Sequence, residues 1–165
     1  MSDKPHSLAD NNLLVKANEG TPGCSRACVN KLLAIRAGET LVVSKKIIYE
    51  YMKTFSEQAP SDEQGVGTEF YLWVLQNEDN PECCLKVETP TERRAGLNTF
   101  AHFPKDRHLD GFHDNDHKFV AAAIAAAPTK PTIYNATDRD WADYYRWLKK
   151  YVRIKCICPN IVKCG

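Results

Sequence analysis

Short β-branched or apolar runs separated by helical stripes recur along this chain, and that alternation limits its fold more than any other feature. Residues 40–43 (Thr-Leu-Val-Val), 83–87, 132–136 and 152–157 read as strands. Between them, Cys28, Leu32 and Ile35 recur at helical spacing within 24–37, and Gly38 stops that helix. Ser44 suits the cap of a helix with the apolar stripe Ile47, Ile48, Tyr51 and Phe55. Phe70, Trp73 and Val74 line a further helix ending near Asn77. Alternating strands and helices imply right-handed crossovers. The expected fold is therefore α/β, a three-layer α/β/α domain around a mainly parallel sheet.

The remaining segments follow from turn chemistry. A first, rather polar strand should end at Asp10, and Gly20, Pro22 and Gly23 mark 17–23 as a loop. Pro60, Gly65 and Gly67 mark another over 59–67. Residues 88–116 hold Pro90, Gly96, Pro104 and Gly111 among charges and read as a long irregular segment. Segments of that length in a compact domain are usually functional. An alanine-rich helix over 119–127 is closed by Pro128, and 140–151 reads as one helix.

Composition narrows the class. With 165 residues, 43% hydrophobic and 26% charged, the chain suits one soluble domain. A net charge of +1 argues against a general polyanion binder, so any nucleic-acid contact must come from local clustering. No apolar run approaches a membrane span, and Met1-Ser2-Asp3-Lys4-Pro5 has no signal-peptide profile, so a cytoplasmic location is expected. The seven cysteines are odd in number and are expected to be reduced and mostly buried, with Cys24 and Cys28 one helical turn apart. Cys156-x-Cys158 with Cys164 fits no common zinc spacing.

Four acids fall where strands should hand over to loops or helices, or on a helix at the sheet's edge: Asp10, Glu50, Asp116 and Asp138. In a parallel sheet such positions converge along the carboxyl ends of the strands, and carboxylates gathered there suit a hard divalent cation. Each acid also has a plain alternative. Asp10, Asp116, Asp138 and Asp140 suit helix caps, and Glu50 suits a solvated helix margin. The run His113-Asp114-Asn115-Asp116-His117 invites a histidine site, but alternate residues in a short loop diverge, and His117 is expected to be exposed.

The ordered set of motifs resembles the PIN-domain family of VapC-like toxin endoribonucleases. Asp10-Asn11-Asn12-Leu13-Leu14 is similar to its opening Asp-x-Asn with apolar residues. Ile48-Tyr49-Glu50-Tyr51 matches its helix-borne Glu, and Asp116-His117-Lys118-Phe119-Val120-Ala121 matches an acid before a small-residue helix. Thr137-Asp138-Arg139-Asp140-Trp141 is similar to its fourth acidic motif. The likeness is strongest over 7–158 of a single domain covering 1–165. Three departures are Asn11, where the family usually has Thr or Ser, the polar first strand, and a 93–113 segment longer than in the smallest VapC-like toxins.

The resemblance implies a PIN-like fold and a metal-dependent endoribonuclease using Mg2+ or Mn2+. Asp10, Asp116 and Asp138 would be catalytic metal ligands, Glu50 would be catalytic and bind a second ion, orient water or act through a water ligand, and Asp140 would be a further candidate ligand. Asn12 would hold Asp10 or touch substrate, and Arg139 would lie beside the substrate. From the residues themselves, Arg146, Lys149 and Lys150 belong to an acid-free stretch from Tyr144 to Gly165 that suits either contacts with RNA phosphates beside Tyr144, Tyr145 and Trp147 or a solvated helix whose C-terminal cations complement its dipole. The family further implies an RNA substrate, a type II toxin–antitoxin pairing with a small antitoxin, and self-association as a homodimer. A non-catalytic PIN-like interaction module is the alternative.

Overall fold

The computed structural model describes residues 3–56 and 65–165. Strand β1 (His6–Ala9) lies in the middle of the sheet despite its polar start. Buried Ser7 donates its hydroxyl to the carboxylate of Glu39, which Lys31 also meets at 2.7 Å, so the strand carries no unpaired hydroxyl into the core. Helix α1 (Asn11–Ala17) follows, then α2 (Cys24–Gly38), which buries Cys28, Leu32 and Ile35 as their spacing requires. Strand β2 (Thr40–Val43) is buried throughout. The Ser44 hydroxyl accepts from the Ile47 amide at 3.3 Å and opens α3 (Lys45–Ser56), which turns Ile47, Tyr51 and Phe55 inward.

The expected loop over 59–67 falls largely outside the described residues, but Gly67 is helical, within α4 (Val66–Asn77). This glycine is needed for approach rather than for a turn. A Cβ there would stand 1.9 Å from the Leu14 carbonyl oxygen, which belongs to the backbone of α1 and cannot swing aside. Asn18, just past α1, fixes the same junction by bonding both the amide and the hydroxyl of Thr68, at 3.0 and 2.9 Å. Gly67→Ala is expected to cost about 2–3 kcal/mol by forcing the helices apart. Urea denaturation would check this, and an unchanged midpoint would refute it.

Strand β3 (Cys84–Lys86) closes one edge of the sheet. The long irregular segment contains structure that periodicity did not announce. β4 (Thr91–Arg94) and β5 (Leu97–Phe100) form an antiparallel hairpin around Ala95 and Gly96, whose φ values are 50° and 81°. Two-residue hairpin turns require such positive φ angles, normally at Asn-Gly or Asp-Gly. Alanine at the first position and the polar strand Thr-Glu-Arg-Arg together hide the signal. Single 3-10 turns follow at Arg107–Leu109 and Asp114–Asp116.

Helix α5 (His117–Ala125) packs its small residues on the sheet, and β6 (Thr132–Asn135) follows. The single helix expected over 140–151 is two short ones, α6 (Arg139–Asp143) and α7 (Tyr145–Leu148). Tyr144 leaves helical geometry between them and packs edge-on against Phe112, with ring centroids 5.6 Å apart. β7 (Arg153–Cys156) forms the other edge.

The five strands of the main sheet run in the order β3-β2-β1-β6-β7, every neighbouring pair parallel. Helices flank it in a three-layer α/β/α arrangement. α1, α2 and α4 pack on one another, while α5 lies against β2 and β6, and α6 against β7. Chain connections leave β1 toward β2 but leave β6 toward β7, so the direction of winding reverses between β1 and β6. That reversal opens a crevice beyond the carboxyl ends of these two strands.

The thiol expectation is corrected. Cys24 is bridged to Cys158 and Cys156 to Cys164, leaving Cys28, Cys83 and Cys84 free. Cys24 opens α2 and Cys158 lies just beyond β7, so the pairing depends on tertiary approach across 134 residues. Among the described residues, no helix is long and apolar enough to cross a membrane.

Candidate metal centre at the strand ends

Three of the predicted acids meet at this crevice. Oxygens of Asp10, Asp116 and Asp138 all lie within 4.8 Å of one another. Each arrives on a different element. Asp10 directly follows β1, and its amide bonds the Tyr134 carbonyl at 3.1 Å, extending the pairing with β6 by one residue. Asp138 lies three residues past β6, and Asp116 ends the 3-10 turn that leads into α5.

Capping accounts for two of them in part. Asp10 Oδ1 accepts from the Asn12 amide at 3.1 Å, and Asp138 Oδ1 accepts from the Asp140 amide at 2.9 Å. Asp116 makes no capping bond from its side chain although it stands at the start of α5. With only 8% of its surface exposed, its burial has no explanation in helix ends alone.

The cluster is held by buried polar partners. The indole N–H of fully buried Trp141 donates to Asp10 Oδ2 at 2.7 Å, so a ring from α6 fixes the carboxylate at the end of β1. Asn12 donates to Asn135 Oδ1 at 2.9 Å and accepts from the Ala136 amide at 2.9 Å. Asn135 in turn bonds both the amide and the carbonyl of Asp138, at 3.1 and 2.8 Å. Tyr51 donates its hydroxyl to the Ala9 carbonyl directly before Asp10. Asn12 thus tethers the turn that carries Asp138. Asn12→Ala leaves the Ala136 amide without its acceptor and takes one of two donors from Asn135 Oδ1, an expected loss of about 1–3 kcal/mol measurable by urea denaturation.

Glu50 lines the same cleft from α3, outside the three-oxygen cluster. Its Oε1 pairs with Lys118 at 3.2 Å, while its Oε2 is buried without a hydrogen-bond partner among the described residues. Asn11 donates to the Thr54 hydroxyl at 2.9 Å. Its Oδ1 is likewise buried and without a donor. Asp140, His113, Asn115 and Val15 also line the cleft without joining the cluster.

Crowding sets the protonation. Burial pushes the Asp10 carboxyl up to about 7, against the bonds from Asn12 and Trp141, with Glu50 and Asp138 adding repulsion. Burial pushes Asp116 up to about 9, and the charges of Asp10 and Asp138 add to it. A divalent cation would remove both causes of repulsion at once. The donors are all oxygen, two cleft acceptors lack donors, and the spacing needs little contraction, since oxygens ~2.1 Å from one magnesium lie at most ~4.2 Å apart. The residues therefore fit magnesium or manganese.

Other predicted residues lie elsewhere. Arg139 is exposed on the first turn of α6, immediately beside Asp138. Arg146 is exposed and stands over the Trp147 ring, 4.9 Å from its centroid. Lys149 and Lys150 do not line the acidic cleft but another depression, near the start of β6 and β7. His117 is part-buried rather than exposed. It shares hydrogen bonds with Thr99 at 2.8 Å and the Phe112 carbonyl at 3.0 Å and stacks on Phe103. Strand β5 of the hairpin supplies that threonine.

Trp141, Asn135 and Lys118 were not singled out as parts of the site. Trp141 carried a signal, because a buried indole needs an acceptor and an acid-rich turn precedes it. No family model matches the chain, and no curated protein does.

Proposed function

We propose that this protein is a divalent-metal-dependent endoribonuclease of the PIN-like kind, cutting phosphodiester bonds in single-stranded RNA. The observation that carries the reading is the meeting of Asp10, Asp116 and Asp138, from three distant segments, at the point where the sheet reverses its winding. These three would hold Mg2+ or Mn2+. The bound cation would supply Lewis-acid stabilisation of charge on the phosphate. Trp141 holds Asp10 in one orientation and Asn12 with Asn135 holds the Asp138 turn, so the donors need no reorganisation. Glu50, which lines the same cleft with its Oε1 paired to Lys118, would orient the attacking water.

An open acidic cleft favours an extended strand, whose backbone can be presented edge-on, over a rigid duplex. In the toxin reading a small antitoxin covers this cleft. Support for a protein partner comes from exposed Val15 on the cleft wall and from Tyr49 and Met52 on α3. A homodimer belongs to the same proposal. The test is cleavage of a mixed single-stranded and structured RNA pool with magnesium, manganese or EDTA, for wild type beside Asp116→Asn. Metal-dependent fragments absent from the variant support the nuclease. No cleavage by folded wild-type protein under either metal would overturn it and leave the non-catalytic module.

A further inference from the structure

At the opposite end of the sheet from the acids, four cations converge on one depression. Lys130 precedes β6, Lys149 and Lys150 end α7, and Arg153 begins β7, where it pairs in register with Thr132. All four are exposed, and no carboxylate lines the depression. Among the described residues none of the four makes an ion pair. Like charges gathered without counter-ions repel, so the arrangement costs stability unless an anion settles among them. The hollow holds about 510 Å³, room for a nucleotide. One wall is Tyr151, with 43% of its surface exposed, its hydroxyl turned away to Asp106 at 2.9 Å and its ring offered to the depression. The loop that carries Lys130 is tied down by Thr129, whose hydroxyl and amide both donate to the Ala126 carbonyl, at 2.6 and 3.0 Å.

We propose that this depression is a second RNA-binding site, in which Lys130, Lys149, Lys150 and Arg153 clamp backbone phosphates and Tyr151 stacks a base. Cations around an aromatic face are what sequence-tolerant single-strand binding needs. The ring distinguishes this ligand from an acidic peptide, which would use the cations and leave the aromatic face idle. A strand held here lies outside the acidic cleft, so the site supplies affinity that the carboxylates oppose. The choice of RNA as ligand rests on the function proposed above, but the test reads binding and not cleavage.

The experiment is fluorescence anisotropy with a labelled single-stranded RNA in EDTA, using wild type, Asp116→Asn and the combined Lys149→Ser, Lys150→Ser and Arg153→Ser variant. Tyr151→Leu is a fourth protein, and polyglutamate is the competing probe. The triple variant should weaken RNA binding at least tenfold and flatten the log Kd against log salt slope by about 2. Tyr151→Leu should weaken RNA and leave polyglutamate unaffected. Asp116→Asn should bind RNA in EDTA at least as well as wild type, and wild type that binds here yet cuts nothing once magnesium or manganese is restored would defeat the nuclease while sustaining this site. Unchanged RNA affinity in a triple variant that melts like wild type would overturn it. So would wild type that binds no RNA, or one whose depression takes polyglutamate in preference.

Discussion

Asp116→Asn is expected to lower metal-dependent RNA cleavage by roughly 10³-fold or more, equivalent to about 4 kcal/mol of barrier. The same substitution should leave the fold intact and, at pH 8 without metal, make it more stable. The amide keeps the size of the carboxyl but has no proton to hold and no charge to bury beside Asp10 and Asp138, so it escapes the cost that the buried acid carries once the unfolded chain has ionised. Loss of activity with gained stability is a combination that a merely structural residue does not produce. Cleavage assays and thermal melts of the same preparation read both. A variant that unfolds, or that still cuts at the wild-type rate, would sink the assignment of Asp116.

The second large effect is a fall in metal-free stability with rising pH. Asp10 and Asp116 have carboxyls raised to about 7 and about 9, whereas in the unfolded chain both ionise near 4. From about pH 4 upward the folded state therefore holds protons that the unfolded state has released, and stability falls as pH rises. His117 acts with the opposite sign, since burial lowers its pKa and the neutral ring favours folding once the unfolded histidine has lost its proton. Its contribution is complete above about 6.5. Cys28 and Cys84, pushed up to about 11 and about 12, enter only above the ordinary thiol range.

The diagnostic window is thus pH 6.5 to 8.5. A loss on the order of 2–4 kcal/mol is expected across it in EDTA. For a chain of this size that corresponds to a fall in Tm of roughly 5–15 °C. Magnesium at a large excess over its Kd should reverse the fall, because it binds the folded carboxylates alone. Melts at three pH values, with EDTA and with magnesium, decide it. A flat profile in EDTA would mean that the carboxyls are not crowded as described.

Much of the sheet was legible because its strands obey local rules. Thr40–Val43 and Thr132–Asn135 are β-branched or apolar runs, and the helices between them show their buried faces at the proper spacing. The convergence of Asp10 and Asp138 followed from the same rules, since each sits just past a strand whose neighbours in the sheet run parallel. What escaped depends on approach between distant segments. Nothing local in Cys24 announces Cys158, and nothing in Lys118 announces Glu50. The hairpin escaped for a different reason, because Ala95 occupies a turn position where a more telling residue usually stands. Lys149 and Lys150 line a depression near the starts of β6 and β7 and not the acidic cleft, a separation that depends on the fold and not on their local sequence.

The bridge between Cys24 and Cys158 encloses most of the polypeptide in a covalent ring. A protease that cuts once inside that ring opens it without releasing a fragment, and the two pieces separate only after a thiol reagent is added. Nicked and intact molecules would therefore have equal mass up to one water and run apart only on a reducing gel. Once this bond is reduced, the two pieces of a nicked chain are held by packing and hydrogen bonds alone.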